Sequence, residues 1–188
     1  MALPAKGQIA AMTDFHIVIA CNEPDGTTKR MLESLSKCVG LREWRQIWFI
    51  ENGVESSNFD VSVCSGWSIP IDHVVLRENG QARARQWFLE KGLRGFALFF
   101  DADIVVDSMI LEAYRDAVNK NGRGIFYGGP MKVEYERSPE DWLIRFLPRS
   151  VAGWSIEAAT KTERDNLWFL GGTFGAFIDD MRMAGGSM

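Results

Sequence analysis

Short, nearly unbroken apolar runs recur along this chain, and most are followed by a polar turn or a stretch of helical pattern. Residues 15–21 (FHIVIAC) are rich in β-branched and aromatic side chains, and the turn sequence NEPDGT follows them. Strands covered on both faces read as continuous apolar runs, so this segment is expected to be a buried strand entering a loop. From Thr27, apolar Met31, Leu35, Cys38 and Val39 recur at helical spacing as far as Gly40, which predicts an amphipathic helix. The unit then repeats with variation. Residues 46–50 (QIWFI), 73–76 (HVVL) and 96–100 (FALFF) are strand-like, 81–91 has helical composition, and a further helix is expected through Ile110, Ala113, Tyr114 and Ala117. Residues 124–127 (GIFY) resume the sheet. Strands alternating with helices predict an α/β fold with a mainly parallel central sheet flanked by helices.

Beyond Pro130 the pattern changes. Ser138-Pro139-Glu140-Asp141 combines a capping serine, a first-turn proline and acids at the positive end of a helix dipole. It predicts a helix carrying Trp142, Leu143 and Phe146. Residues 168–170, a Gly171-Gly172 turn and residues 173–178 read as two short extended segments. With no internal repeat or linker, residues 15–188 are expected to form one domain after a tail of residues 1–14.

Composition removes several classes of function. The 21 basic and 25 acidic residues leave a net charge of -4, without the dense basic surface that nucleic-acid binding needs. Cys21, Cys38 and Cys64 are odd in number and lack paired metal spacing, which fits neither a disulfide framework nor a zinc site and points to the reducing cytoplasm. No apolar run reaches the roughly 18 residues of a membrane span, and residues 1–12 lack the apolar core of an export signal. His16 and His73 lie at or near strand starts without a neighbouring nucleophile, as structural histidines do. The nucleophile elbow, the zinc-protease HExxH, the P-loop and the dinucleotide GxGxxG signatures do not occur.

The segment FFDADIV carries the chemistry. An apolar strand has no packing reason to end in two carboxylates, and residues two apart in extended chain point the same way. Asp101 and Asp103 could therefore converge on one ligand. Hard cations such as Mn2+ or Mg2+ prefer oxygen ligands and often complete their shell with substrate phosphates. The carboxyl end of a central strand is also where open α/β sheets bind ligands. A helix cap beside a solvated acid would explain an isolated D-x-D better, so the neighbouring segments matter.

In order along the chain, IVIACNEPDGTTKRMLESL, WFIENG, ENGQARARQ, FALFFDAD and FLGGTFGAF resemble segments of the inverting, family-2-type glycosyltransferases of the GT-A fold. The resemblance implies a nucleotide-sugar-binding domain. It assigns Asn22, Glu23 and Pro24 to the loop forming the nucleotide pocket. Glu51 falls where the family usually has a base-contacting aspartate, although a solvated strand-end acid is an equal alternative. Asn79, Gly80, Arg83 and Arg85 match the segment beneath the donor diphosphate, where arginine can bond phosphate oxygens. Gln86 replaces the family's usual asparagine.

By the same resemblance Asp103 would ligate the cation directly, while Asp101 would contact ribose or bind the metal through water; Ala102 lies between them. Gly171, Gly172 and Thr173 would border the acceptor side, and Trp142, Trp154 and Trp168 are core residues or sugar-stacking platforms. The implied partner is a nucleoside diphosphate sugar, with a UDP-sugar favoured, and an acceptor of unknown identity. The family's base lies in an acidic pair downstream of a Gly-Gly-Phe-type segment. Asp179 and Asp180 come too early to match it, so the catalytic base is expected beyond Met188. If these residues transfer sugar alone, Glu134 or Glu136 becomes a candidate. Two readings follow: a metal-assisted inverting transferase, or a non-catalytic nucleotide-sugar-binding module or truncated fragment.

Overall fold

In the computed structural model, residues 13–57, 59–135, 137–148 and 171–186 are described. The strands are β1 (Phe15–Cys21), β2 (Gln46–Asn52), β3 (Ile71–Leu76), β4 (Phe96–Asp101), β5 (Tyr127–Gly128) and β6 (Thr173–Phe177). The helices are α1 (Gly26–Ser36), α2 (Gln81–Leu89), α3 (Ile110–Asn121), α4 (Asp141–Ile144) and α5 (Ile178–Met183). The six strands form one sheet in the order β3-β2-β1-β4-β6-β5. Strands β1 to β4 are mutually parallel where they pair, as expected from their unbroken apolar runs. The Ile178 N–H donates to the Gly95 carbonyl at 2.9 Å, so β6 ends beside the start of β4 and runs against it.

Every residue of β1 is buried. Alternation divides the strands between two layers. Ile17, Ile19, Phe49, Leu98 and Phe100 enter the main core with Met31 and Leu35 of α1 and Leu111 and Val118 of α3. On the other face, Phe88 of α2 makes edge contacts with Trp48 and Phe99. A second aromatic set closes the β4 side, where Phe96 meets Phe15, Tyr127 and Phe177. Gly175 is required there because a Cβ at that position would lie 2.3 Å from the Phe96 ring.

Several boundaries differ from expectation. Helix α1 stops at Ser36, leaving Cys38 buried and Val39 exposed in a turn that Gly40 reverses at φ 76°. Of the strand expected at 124–127 only Tyr127 pairs, together with Gly128 beyond it. The preceding Arg123 and Gly124 are bonded to Asp180 instead, which holds residues 123–124 out of the ladder. Ser138 does not cap α4: the cap position is Glu140, with no side-chain cap bond, and the helix has four residues. Phe146 lies beyond it and is exposed, as is Trp142, so neither is core.

By contact the chain divides into two compact units, Met1–Tyr127 with Gly175–Met188, and Gly128–Phe174. The first holds β1 to β4, α1 to α3 and α5. In the second, Glu134 and Trp142 are exposed, and the Trp142 indole donates to Glu140 at 2.7 Å. Gly171 and Gly172 make the expected turn, and Thr173 opens β6. Trp154, Trp168 and Glu136 fall outside the described residues.

Candidate functional site

The strand order reverses at β1, which has β2 on one side and β4 on the other. Connections after these strands leave in opposite directions, so a crevice opens at their carboxyl ends. A cleft of about 450 Å³ occupies this position. Cys21, Asn22 and Glu23 line one wall, the start of α1 another, and Gln81 with Asp101, Ala102 and Asp103 the rest. A smaller hollow of about 280 Å³ lies at the opposite ends of the strands, beside Gly40 and Glu112, where none of the implicated residues reach.

Local sequence explains how the loops hold this shape. Asp25 caps α1, accepting from the Thr27 and Thr28 N–H groups at 2.7 and 3.2 Å, while Thr28 Oγ1 accepts from the Asp25 N–H. That reciprocal box fixes the turn NEPDGT against β1. Behind the cleft, buried Asn52 joins two loops: its Nδ2 donates to the Cys21 carbonyl and its Oδ1 accepts from the Gly80 N–H, both at 2.8 Å. Gly53 follows at φ 80°, and a Cβ there would lie 2.7 Å from Asn22 Oδ1 and 3.0 Å from Asn79 Cγ. The loops after β1, β2 and β3 thus meet at a point only glycine can occupy.

The aspartates converge, but for a different reason than strand alternation. Strand β4 ends at Asp101, and Ala102 and Asp103 belong to a turn. The turn carries exposed Asp103 into the cleft, while Asp101 remains partly buried against α2. Arg85 Nη2 and Gln81 Nε2 each reach Asp101 Oδ1 at 3.2 Å. Burial holds the Asp101 carboxyl above its ordinary range, opposed by Arg85 and reinforced by Asp103. Burial likewise lowers Arg85, which stays charged throughout the accessible range. Arg83 is two residues from Arg85, hence on another helix face, and pairs with Glu78 at the exposed surface.

Glu51 is wholly buried, so it is not the solvated strand-end acid that was one alternative. Neither carboxylate oxygen has a hydrogen-bond partner among the described residues; His73 Nε2 stands 3.5 Å away. Glu51 is beside Cys21 in the strand register, immediately behind the cleft wall. Burial also raises the Cys21 thiol. His16 is buried and accepts from the Trp48 indole at 3.5 Å. Neither histidine lines the cleft.

Asn52, Gln81, Asp25 and Thr28 are site residues the sequence reading did not single out. Gln81 and Asn52 lie within ENGQARARQ and WFIENG, where a polar residue at a strand end or helix start was the available signal.

The four acidic residues Glu23, Asp25, Asp101 and Asp103 line this cleft, although the Asp25 carboxylate is committed to its helix cap. Among the described residues no group of three or more His, Cys, Asp or Glu side chains forms a closed metal cage. Asp101 and Asp103 could offer carboxylate oxygens to a cation at an open position. That suits a hard cation taking its remaining ligands from phosphate oxygens and water, and does not suit a closed zinc site.

Residues 16–182 match the sequence family described as Glycosyl transferase family 2. The chain belongs to that family. Its fold is that of the GT-A glycosyltransferases. No curated protein matches it in sequence. Among solved structures it is similar to residues 1–349 of TarS from S. aureus, at TM-score 0.65 and 12% identity over 92% of this chain and 49% of that one. The same TarS fragment in complex with UDP-GlcNAc gives TM-score 0.62 at 12% identity, covering 92% and 47%. The mannosyltransferase PcManGT from Pyrobaculum calidifontis, in complex with GDP-Man and Mn2+, gives 0.55 at 14% identity, covering 93% and 49%. At these identities the likeness shows the fold. This family 2 chain spans about half the length of the solved chains.

Proposed function

We propose that this chain is the donor-binding part of a metal-assisted, inverting glycosyltransferase that moves a sugar from a nucleoside diphosphate to an acceptor hydroxyl. The carrying observation is an acidic cleft at the switch point of a family 2 sheet. A diphosphate is itself anionic, and beside Asp101, Asp103 and Glu23 it is repelled unless a cation intervenes. Asp103, exposed in the cleft, would hold Mn2+ or Mg2+ directly, and Asp101, already bonded through Oδ1, would contact the ribose or bind the cation through water. When bound, the cation supplies charge neutralisation on the departing diphosphate.

The chain's own residues bind and orient. Arg85 is the phosphate ligand of the two arginines, because it faces Asp101 while Arg83 faces solvent. Asn22, Glu23, Asn79 and Gly80 shape the nucleotide pocket, and Glu51 lies on its base side. Gly171, Gly172 and Thr173 border the acceptor. UDP-sugars are the favoured donors, supported by the family resemblance and by the UDP-GlcNAc complex of TarS. Cys21, Cys38 and Cys64 are free thiols, which supports a cytoplasmic setting. No helix among the described residues is long and apolar enough to cross a membrane.

Isothermal titration of UDP with and without Mn2+ tests the reading. UDP binding by the wild-type chain is expected to be about tenfold tighter with the metal than without it, and Asp103→Ala is expected to remove that gain. Wild-type-like, metal-dependent affinity in Asp103→Ala would refute the assignment.

A further inference from the structure

Gln81 and Arg85 stand one helical turn apart at the start of α2 and converge on a single oxygen, Asp101 Oδ1, each at 3.2 Å. They also bond each other, Arg85 Nη2 donating to Gln81 Oε1 at 3.3 Å. The guanidinium is largely buried, with 17% of its side chain exposed, against 26% for Asp101. One carboxylate oxygen is therefore held by two donors from one helix face, and its charge is offset by a cation shielded from water.

We infer that Gln81 and Arg85 are positioning residues for Asp101, and that Arg85 exchanges Asp101 for a donor phosphate, so that cation and nucleoside diphosphate bind as a coupled pair. This rests on the reading of the cleft as the donor site. A divalent cation entering alone meets a carboxylate already neutralised and a like charge beside it. A diphosphate entering alone meets the carboxylates of Asp103 and Glu23. When both enter, the phosphate offers Arg85 an acceptor of equal quality, which turns the Asp101 charge toward the cation. Each ligand removes the repulsion that opposed the other, and such coupling is reciprocal. Gln81 carries no charge and has no reason to leave, so it keeps Asp101 Oδ1 in place during the exchange.

Mn2+ binding measured by electron paramagnetic resonance, with and without UDP, tests this on the full chain. In the wild type UDP is expected to tighten Mn2+ binding about tenfold, within the usual range of couplings between sites. Arg85→Gln is expected to bind Mn2+ alone more tightly than the wild type while losing most of the coupling. Arg85→Lys keeps the charge and is expected to retain coupling in part, and Gln81→Leu to weaken joint binding with an unchanged melting temperature. A merely structural role for Arg85 would weaken binding of both ligands and tighten neither. Arg85→Gln that binds Mn2+ alone no better than the wild type, or wild-type Mn2+ and UDP that bind independently, would overturn the exchange and leave the donor site standing. A wild type that binds no UDP under any condition sinks the donor-site reading itself.

Discussion

His16 shows how burial sets the behaviour of one residue. It lies in β1 with 3% of its surface exposed, and desolvation lowers its pKa despite nearby Asp14 and a backbone bond to Arg94. The folded state therefore binds this proton less well than the unfolded chain does. The sign follows: stability from neutral His16 is full above the unfolded pKa of about 6.5 and is lost as pH falls below it. Urea unfolding of the wild type is expected to show falling stability between about pH 7 and pH 5, and His16→Asn a weaker dependence. An identical pH profile in the variant would remove His16 as the source. Cys38, whose thiol is pushed up to about 11 by burial and by Asp107, is expected to resist thiol reagents near pH 8 until the protein unfolds. Mass spectrometry of alkylated native protein checks it.

At the scale of elements, the cleft depends on joints between consecutive loops. Asn52 is the joint between β1 and α2, satisfying a carbonyl of one and an N–H of the other from a buried position. Asn52→Ala leaves both groups unpaired and is expected to cost about 1–3 kcal/mol, read as a lower urea midpoint with unchanged slope. A loss within the noise would show that water replaces the amide. Helix α2 also sorts its polar side chains by angle. Gln81 and Arg85 are four apart and share the side that meets Asp101, whereas Arg83 falls on the exposed side. In the sequence alone the two arginines are equivalent, because it fixes no helix phase. At the other end of the unit, Asp180 accepts from Arg123 and the Gly124 N–H, while Arg182 donates to the Leu89 and Leu93 carbonyls. These bonds tie α5 to the residues before β5 and to the end of α2.

For the whole molecule, the topology decides where a ligand can act. Reversal of strand order beside β1 opens the crevice, and β4 with the turn after it brings Asp101 and Asp103 to its lining. A ligand that binds only this assembled state must stabilise it. UDP with Mn2+ at about 100 times its dissociation constant is expected to add about 2.7 kcal/mol, seen as a raised melting temperature, and neither component alone at the same concentration should match it. Much of this was legible in the chain itself. Unbroken apolar runs specify strands covered on both faces, and the helical spacing after them specifies the α/β alternation, because both patterns are local and periodic. The D-x-D at the end of β4 is local as well, and its residues line the cleft at the carboxyl ends of the strands. What only the tertiary structure decided is pairing across long separations. It placed Arg85 on Asp101, Asn52 between Cys21 and Gly80, and Glu51 beneath the surface instead of in solvent. Such contacts join residues 16 to 31 positions apart, or depend on what covers a strand end, and no local periodicity records them.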